Sequence, residues 1–235
     1  MNIPVMHGFI DRRILVNYSI DPVVAAKLIP SPFRIKVYNG AAIGGICLIR
    51  LKQVKPKFIP GNFGVSSENA AHRFAVEWDE NGEVKNGVYI PRRDTSSFIN
   101  SLAGGRLFPG KHHHTKFDVE ENNSHYNIAF TSKDGTGISL KSNEKEGFTS
   151  QSLFNSLEDA SSFFQKGATG YSPTNGRHDG LMLNTYQWKV NALDVTEVQS
   201  SFFEDKTIFP EGSISFDNAL LMKNIEHDWI SLNSK

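Results

Sequence analysis

Residues 41–51 of this chain are apolar at consecutive rather than alternate positions, and the run ends in Arg50 and Leu51. A strand of that kind must be covered on both faces, so the segment predicts a buried central strand in a larger sheet. Its adjacent glycines, Gly44 and Gly45, mark a bulge or the close approach of another backbone. The apolar stretch at residues 41–49 is nine residues long, and a membrane-spanning helix needs about twenty.

The surrounding sequence supplies partners for such a strand. Residues 13–19 alternate Ile14, Val16 and Tyr18 with Leu15 and Asn17 and read as a strand. Asp21-Pro22 opens a short helix, with Asp as N-cap and Pro in the first turn, and Pro30 and Pro32 stop it. Residues 33–38 read as a strand, Asn39-Gly40 as a turn, and residues 55–60 as a loop. Asp79-Glu80-Asn81-Gly82 separates strands at residues 70–78 and 83–91, a hairpin signal. Asp94 is placed to cap a helix through Phe98, Ile99 and Leu102, ended by Gly104-Gly105. Hairpin strands follow at residues 117–120, 125–131 and 137–142, and Ser156 caps a helix carrying Leu157, Ala160, Phe163 and Phe164. Residues 167–179 read as a polar loop, residues 181–190 as a strand, and residues 193–203 as its antiparallel partner. Residues 218–225 fit either strand or helix. Phe58, Phe63, Phe74, Tyr89 and Trp188 supply aromatic surface for a pocket or for plain core. Short strands, tight turns and a few brief helices predict one β-rich α+β domain over residues 1–235, its antiparallel sheet closing on itself to protect its edges.

Charge narrows the function classes. Twenty-five basic residues balance twenty-five acidic ones, so no overall field draws the chain to nucleic acid or anionic lipid. Cys47 is the single cysteine, which excludes an internal disulfide and fits a reducing compartment. Asp11-Arg12-Arg13 interrupts the N-terminus before a leader-like apolar segment forms. A soluble, cytoplasmic protein is expected, with a small-molecule ligand, no nucleic-acid or membrane partner, and room for a homo-oligomer.

Possible chemistry concentrates at residues 104–117, GGRLFPGKHHHTKF. For covalent work on a carbonyl, a lysine pKa must fall by roughly three units, through burial or a neighbouring cation. Lys111 has His112 beside it and Arg106 nearby. With Phe117 and Val119 facing the core, regular alternation carries Lys111, His113 and Thr115 to the same face and Lys116, Asp118 and Glu120 to water. His112 and His114 would share a face, but zinc needs a further ligand, and no metal site is expected. Glu68 is a candidate acid/base if buried, or else a capping or hairpin-supporting carboxylate; Arg106 is a candidate carboxylate clamp or a structural partner of Glu68 or Asp94. No GxGxxG spacing, phosphate loop, nucleophile elbow or HExxH is present, so no cofactor is expected.

The order of parts resembles the acetoacetate decarboxylase-like superfamily. The residues that carry the likeness are Ser67-Glu68-Asn69, the hairpin at Asp79-Glu80-Asn81-Gly82, Asp94, Gly104-Gly105-Arg106 and Phe108-Pro109-Gly110-Lys111. Asp179-Gly180-Leu181 and Ser200-Ser201-Phe202-Phe203 look like that fold's closing strands. Over its length, from Arg12-Arg13-Ile14 onward, the chain is most similar to an uncharacterised conserved-domain branch of the superfamily. The resemblance implies a conical β-barrel around a pocket for a small oxo acid. Two readings follow: a binding protein that keeps the pocket without the chemistry and, as the alternative, an imine-forming lyase in which Lys111 is the amine, Arg106 holds the carboxylate and Glu68 moves protons; in either, His113 and Phe108 contact the ligand. Two positions depart from the pattern. Counted from Pro109, Gly110 occupies the place of the Schiff-base lysine, and Leu107 replaces a glutamate. A gap in the turn brings Lys111 to the catalytic place, and the alternation described above supports an inward lysine.

Overall fold

β4 (Ala41–Pro56) runs through the middle of the sheet, and its residues 42–49 are all buried. It lies antiparallel between β1 (Met6–Ile20) and β5 (Val65–Glu80). Ile46 and Leu48 pack on one face with Ile14, Val16 and Phe74, while Ile43, Cys47 and Ile49 pack on the other with Leu15 and Ala75. Gly45 is the close approach that its sequence context predicts. A Cβ there would fall 2.1 Å from the Val16 carbonyl oxygen, so any side chain would push β1 away. The computed structural model describes residues 4–97 and 109–235.

Local signals account for most of the boundaries. The Asp21 carboxylate accepts the Val23 N–H at 2.7 Å and starts α1 (Pro22–Ala26). The expected strand at residues 33–38 is broken into β2 (Arg34–Ile35) and β3 (Val37–Tyr38). Asn81 and Gly82, both at positive φ, turn the chain from β5 into β6 (Glu83–Thr95). β7 (His112–His114) lies parallel to β6. A meander follows in β8 (Phe117–Asn122), β9 (His125–Thr131) and β10 (Gly137–Lys145). The Ser156 hydroxyl accepts the Asp159 N–H at 3.1 Å and caps α2 (Leu157–Lys166), whose Ala160, Phe163 and Phe164 are buried.

Closure comes from long-range pairing. β6 pairs with β11 (Thr169–Thr174), β11 with β12 (Arg177–Thr185), β12 with β14 (Ile214–Leu232), and β14 with β1. The strands β1, β4, β5, β6, β11, β12 and β14 therefore form a ring. β13 (Asn191–Ser200) joins β14 to β10 and carries the meander as an arm of the same sheet.

Several expectations need correction. Residues 167–179 are mostly strand rather than loop, with β11 and β12 meeting at Asn175 and Gly176, both at positive φ. β12 and β13 are not partners; each pairs with a different part of β14. Residues 218–225 are strand. Asp94 does not cap a helix: it lies in β6, 1% exposed, and accepts hydrogen bonds from Arg92 and Ser132. The helix expected through Phe98, Ile99 and Leu102 falls outside the described residues. Phe74 and Tyr89 are core, whereas Phe58 and Phe63 are exposed. Among the described residues, no helix is long and apolar enough to cross a membrane.

Candidate functional site

The ring encloses a cavity of about 130 Å³ whose wall takes residues from all seven ring strands. β1 contributes Arg13, β4 Cys47, β5 Arg73, β6 Ile90 and Arg93, β11 Gly170, β12 Leu181, and β14 Trp229; His112 of β7 completes one side. Most of this wall is apolar, which makes the three guanidiniums conspicuous.

Strand alternation explains how two of them come to be there. Adjacent residues of a strand point to opposite faces, so each Arg-Arg doublet is split by the sheet. Arg12 meets Glu68 and Glu121, while Arg13 enters the cavity wall. Arg92 meets Asp94 and Asp134, while Arg93 enters the wall. Arg34, Arg50 and Arg177 also have carboxylate partners. Among the described arginines, only Arg13, Arg73 and Arg93 have none, and all three line this cavity.

None of their hydrogen-bond partners is a carboxylate. Arg13 Nε donates to Cys47 Sγ at 3.3 Å, and its Nη1 lies 3.9 Å from Met222 Sδ. Arg93 Nε donates to Ser172 Oγ at 3.2 Å. Arg73, 3% exposed, donates through Nη2 to Asn17 and lies over the Phe164 ring, leaving Nε and Nη1 without a partner. Burial pulls the guanidiniums of Arg73 and Arg93 down to about 10. Asp94, the carboxylate in the wall, is already committed to Arg92 and Ser132. Burial and then the neighbouring Arg93 hold the His112 imidazole down to about 4, so it is neutral at pH 7. Among the described residues, the wall thus offers unsatisfied cationic donors for an anion beside a neutral imidazole, and no lysine amine.

The residues selected from sequence are not assembled here. Lys111 is exposed and lies outside the cavity wall. His113 is exposed as well, and the inward histidine is His112. Alternation traced backward from Phe117 misplaces this segment because residues 115 and 116 are not strand, and Gly110 turns at φ +93°. Gly110 is buried against Ser172, which a Cβ would meet at 2.9 Å. Glu68 is held by Arg12 at 2.6 Å and by Arg50. Arg106 and Phe108 lie outside the described residues. Among the described residues, no group of three or more His, Cys, Asp or Glu is arranged to hold a metal. The sequence reading missed Arg13, Arg73, Arg93, Cys47 and His112, although the two arginine doublets were a usable signal.

Comparison with known proteins agrees with this architecture. The chain has 10% identity and a TM-score of 0.62 to an acetoacetate decarboxylase-like enzyme from Sphingomonas wittichii RW1, over 100% of this chain and 93% of that one. Acetoacetate decarboxylase from Legionella pneumophila gives 10% identity and a TM-score of 0.61 over 99% and 88%. The enduracididine biosynthesis enzyme MppR, complexed with pyruvate, gives 9% and 0.57 over 100% and 90%. No curated protein matches the sequence. Residues 10–217 match the DUF2071 family, described as an uncharacterized conserved protein. The chain therefore belongs to the DUF2071 family and has the acetoacetate decarboxylase-like fold.

Proposed function

We propose that this protein binds a small organic acid, an oxo acid foremost, in the ring cavity through Arg13, Arg73 and Arg93. The observation that carries the reading is the segregation of the described arginines: those elsewhere are neutralised by carboxylates, and the three without such partners share one cavity. An unpaired buried charge costs several kcal/mol, and a carboxylate ligand offsets that cost through bidentate, charge-assisted hydrogen bonds. A protein of the same fold complexed with pyruvate supports an oxo acid. The alternative, an imine on Lys111, has no support from the geometry, because that amine is exposed and outside the wall.

The test is a thermal-shift and calorimetric titration with pyruvate and acetoacetate, followed by borohydride reduction and adduct mapping. Ligand at a hundred times its Kd should stabilise the fold by about 2.7 kcal/mol, or roughly 5–11 °C in Tm at this chain length. No borohydride-trapped adduct is expected on Lys111. Absence of binding by both acids would remove the proposal, and a trapped Lys111 adduct would restore the imine mechanism.

A further inference from the structure

The cationic cavity has two ends, and we infer that its ligand is a small dianion, a dicarboxylate of three or four carbons. This deepens the organic-acid reading and rests on it.

The guanidiniums diverge. Arg73 springs from β5 but donates to Asn17 on β1, two strands away. The residue between them in register is Gly45, which has no side chain to block the path. At that end the nearby cation is Arg13, also on β1, whose repulsion adds to the burial of Arg73. Arg93 turns the other way, from β6 to Ser172 on β11. Around the seven-strand ring, β1 and β11 are separated by four steps through β4, β5 and β6, and by three through β14 and β12. The anchors Asn17 and Ser172 therefore stand on opposing walls.

Charge and size point to the same ligand. A monocarboxylate neutralises one end and leaves the guanidinium of the other without a counter-charge; a dicarboxylate serves both. A second cavity of about 30 Å³ shares Arg13 and Arg73 with the first and adds Lys36, so the doubly cationic end has extra room and a further cation. A cavity of about 150 Å³ accepts benzene, so the two spaces together suit roughly six to eight non-hydrogen atoms. That is the size of malonate or succinate.

The experiment is calorimetric titration of the full chain at pH 7 and constant ionic strength with malonate against propionate and succinate against butyrate. Each diacid should bind at least tenfold tighter than the monoacid of equal carbon number, a difference of about 1.4 kcal/mol or more. In Arg93→Gln, checked by circular dichroism, that ratio should fall below threefold. Mono- and diacids within threefold of each other in the wild type would overturn the two-ended site while leaving the organic-acid reading intact. If none of the four acids binds, and neither pyruvate nor acetoacetate binds, both readings fall. An unchanged ratio in folded Arg93→Gln would also overturn the inference. Should that variant fail to fold, the wild-type comparison decides alone.

Discussion

Arg73 should be a residue the fold would do better without, and Arg73→Met tests this. Its guanidinium is 3% exposed and pulled down to about 10 by burial. At about 1.4 kcal/mol per pK unit, that displacement corresponds to roughly 3 kcal/mol against the charged folded state. The sign follows from the two pKa values. At pH 7 both lie far above the solution, the residue is protonated folded and unfolded, and the whole penalty falls on the folded protein. Replacement by methionine relieves it. In exchange, Asn17 loses a donor, worth about 1–2 kcal/mol, and the contact over Phe164 loses about 1 kcal/mol. The net change is about 0 to +1 kcal/mol, or 0 to about 4 °C in Tm for a chain of this length. Arg12→Met is the contrasting case: Arg12 is equally buried but bound to Glu68 and Glu121, and breaking such a pair costs about 3–5 kcal/mol. Thermal denaturation of the two variants without added ligand should separate them by several degrees. Arg73→Met should also lose the Tm rise that organic acids give the wild type. A Tm drop for Arg73→Met as large as that for Arg12→Met would refute the argument, because Arg73 would then be a structural residue and not a poised binding group.

Two further outcomes follow from the core. His72, His112 and His227 are each held down to about 4 by burial, so between about pH 6.5 and 4 the unfolded chain binds protons that the folded one does not. Stability should therefore be fully present near pH 7 and fall with pH at up to about 4 kcal/mol per unit, roughly 1.4 per histidine; urea midpoints between pH 7 and 5 should flatten by about a third in His72→Leu, and an unchanged slope would count against the assignment. Gly45→Ala forces a Cβ to 2.1 Å from the Val16 carbonyl and should cost about 3 kcal/mol or more by parting β1 from β4, read as lost Tm; a variant within 1 °C of wild type would mean that the strands can shift without penalty.

What the chain reveals in one dimension depends on how local the cause is. The turn at Asn81-Gly82 is legible because its flanking strands alternate, and the caps at Asp21 and Ser156 because each acts within one helical turn. Asn175-Gly176 is the same kind of turn, yet its flanks are hard to read as strands: β11 carries Ser172 and Pro173, and β12 begins at Arg177. The pairing of β1 with β14 brings residues from opposite ends of the chain together, and no local pattern announces it. The phase at Lys111 fails for a related reason. β7 takes its orientation from β6, through the pairing of His112 with Arg93, and not from the strand that follows it. The arginine doublets lie between these extremes. A strand containing Arg12-Arg13 or Arg92-Arg93 must send one guanidinium to each face, which sequence alone can state. That the carboxylates Glu68, Glu121 and Asp134 gather around Arg12 and Arg92, leaving Arg13 and Arg93 to line one cavity with Arg73, requires the ring to close first. The cationic cavity is thus a property of the topology: the same residues on an open sheet would present separate cations to solvent, where each is cheap and none selects a ligand.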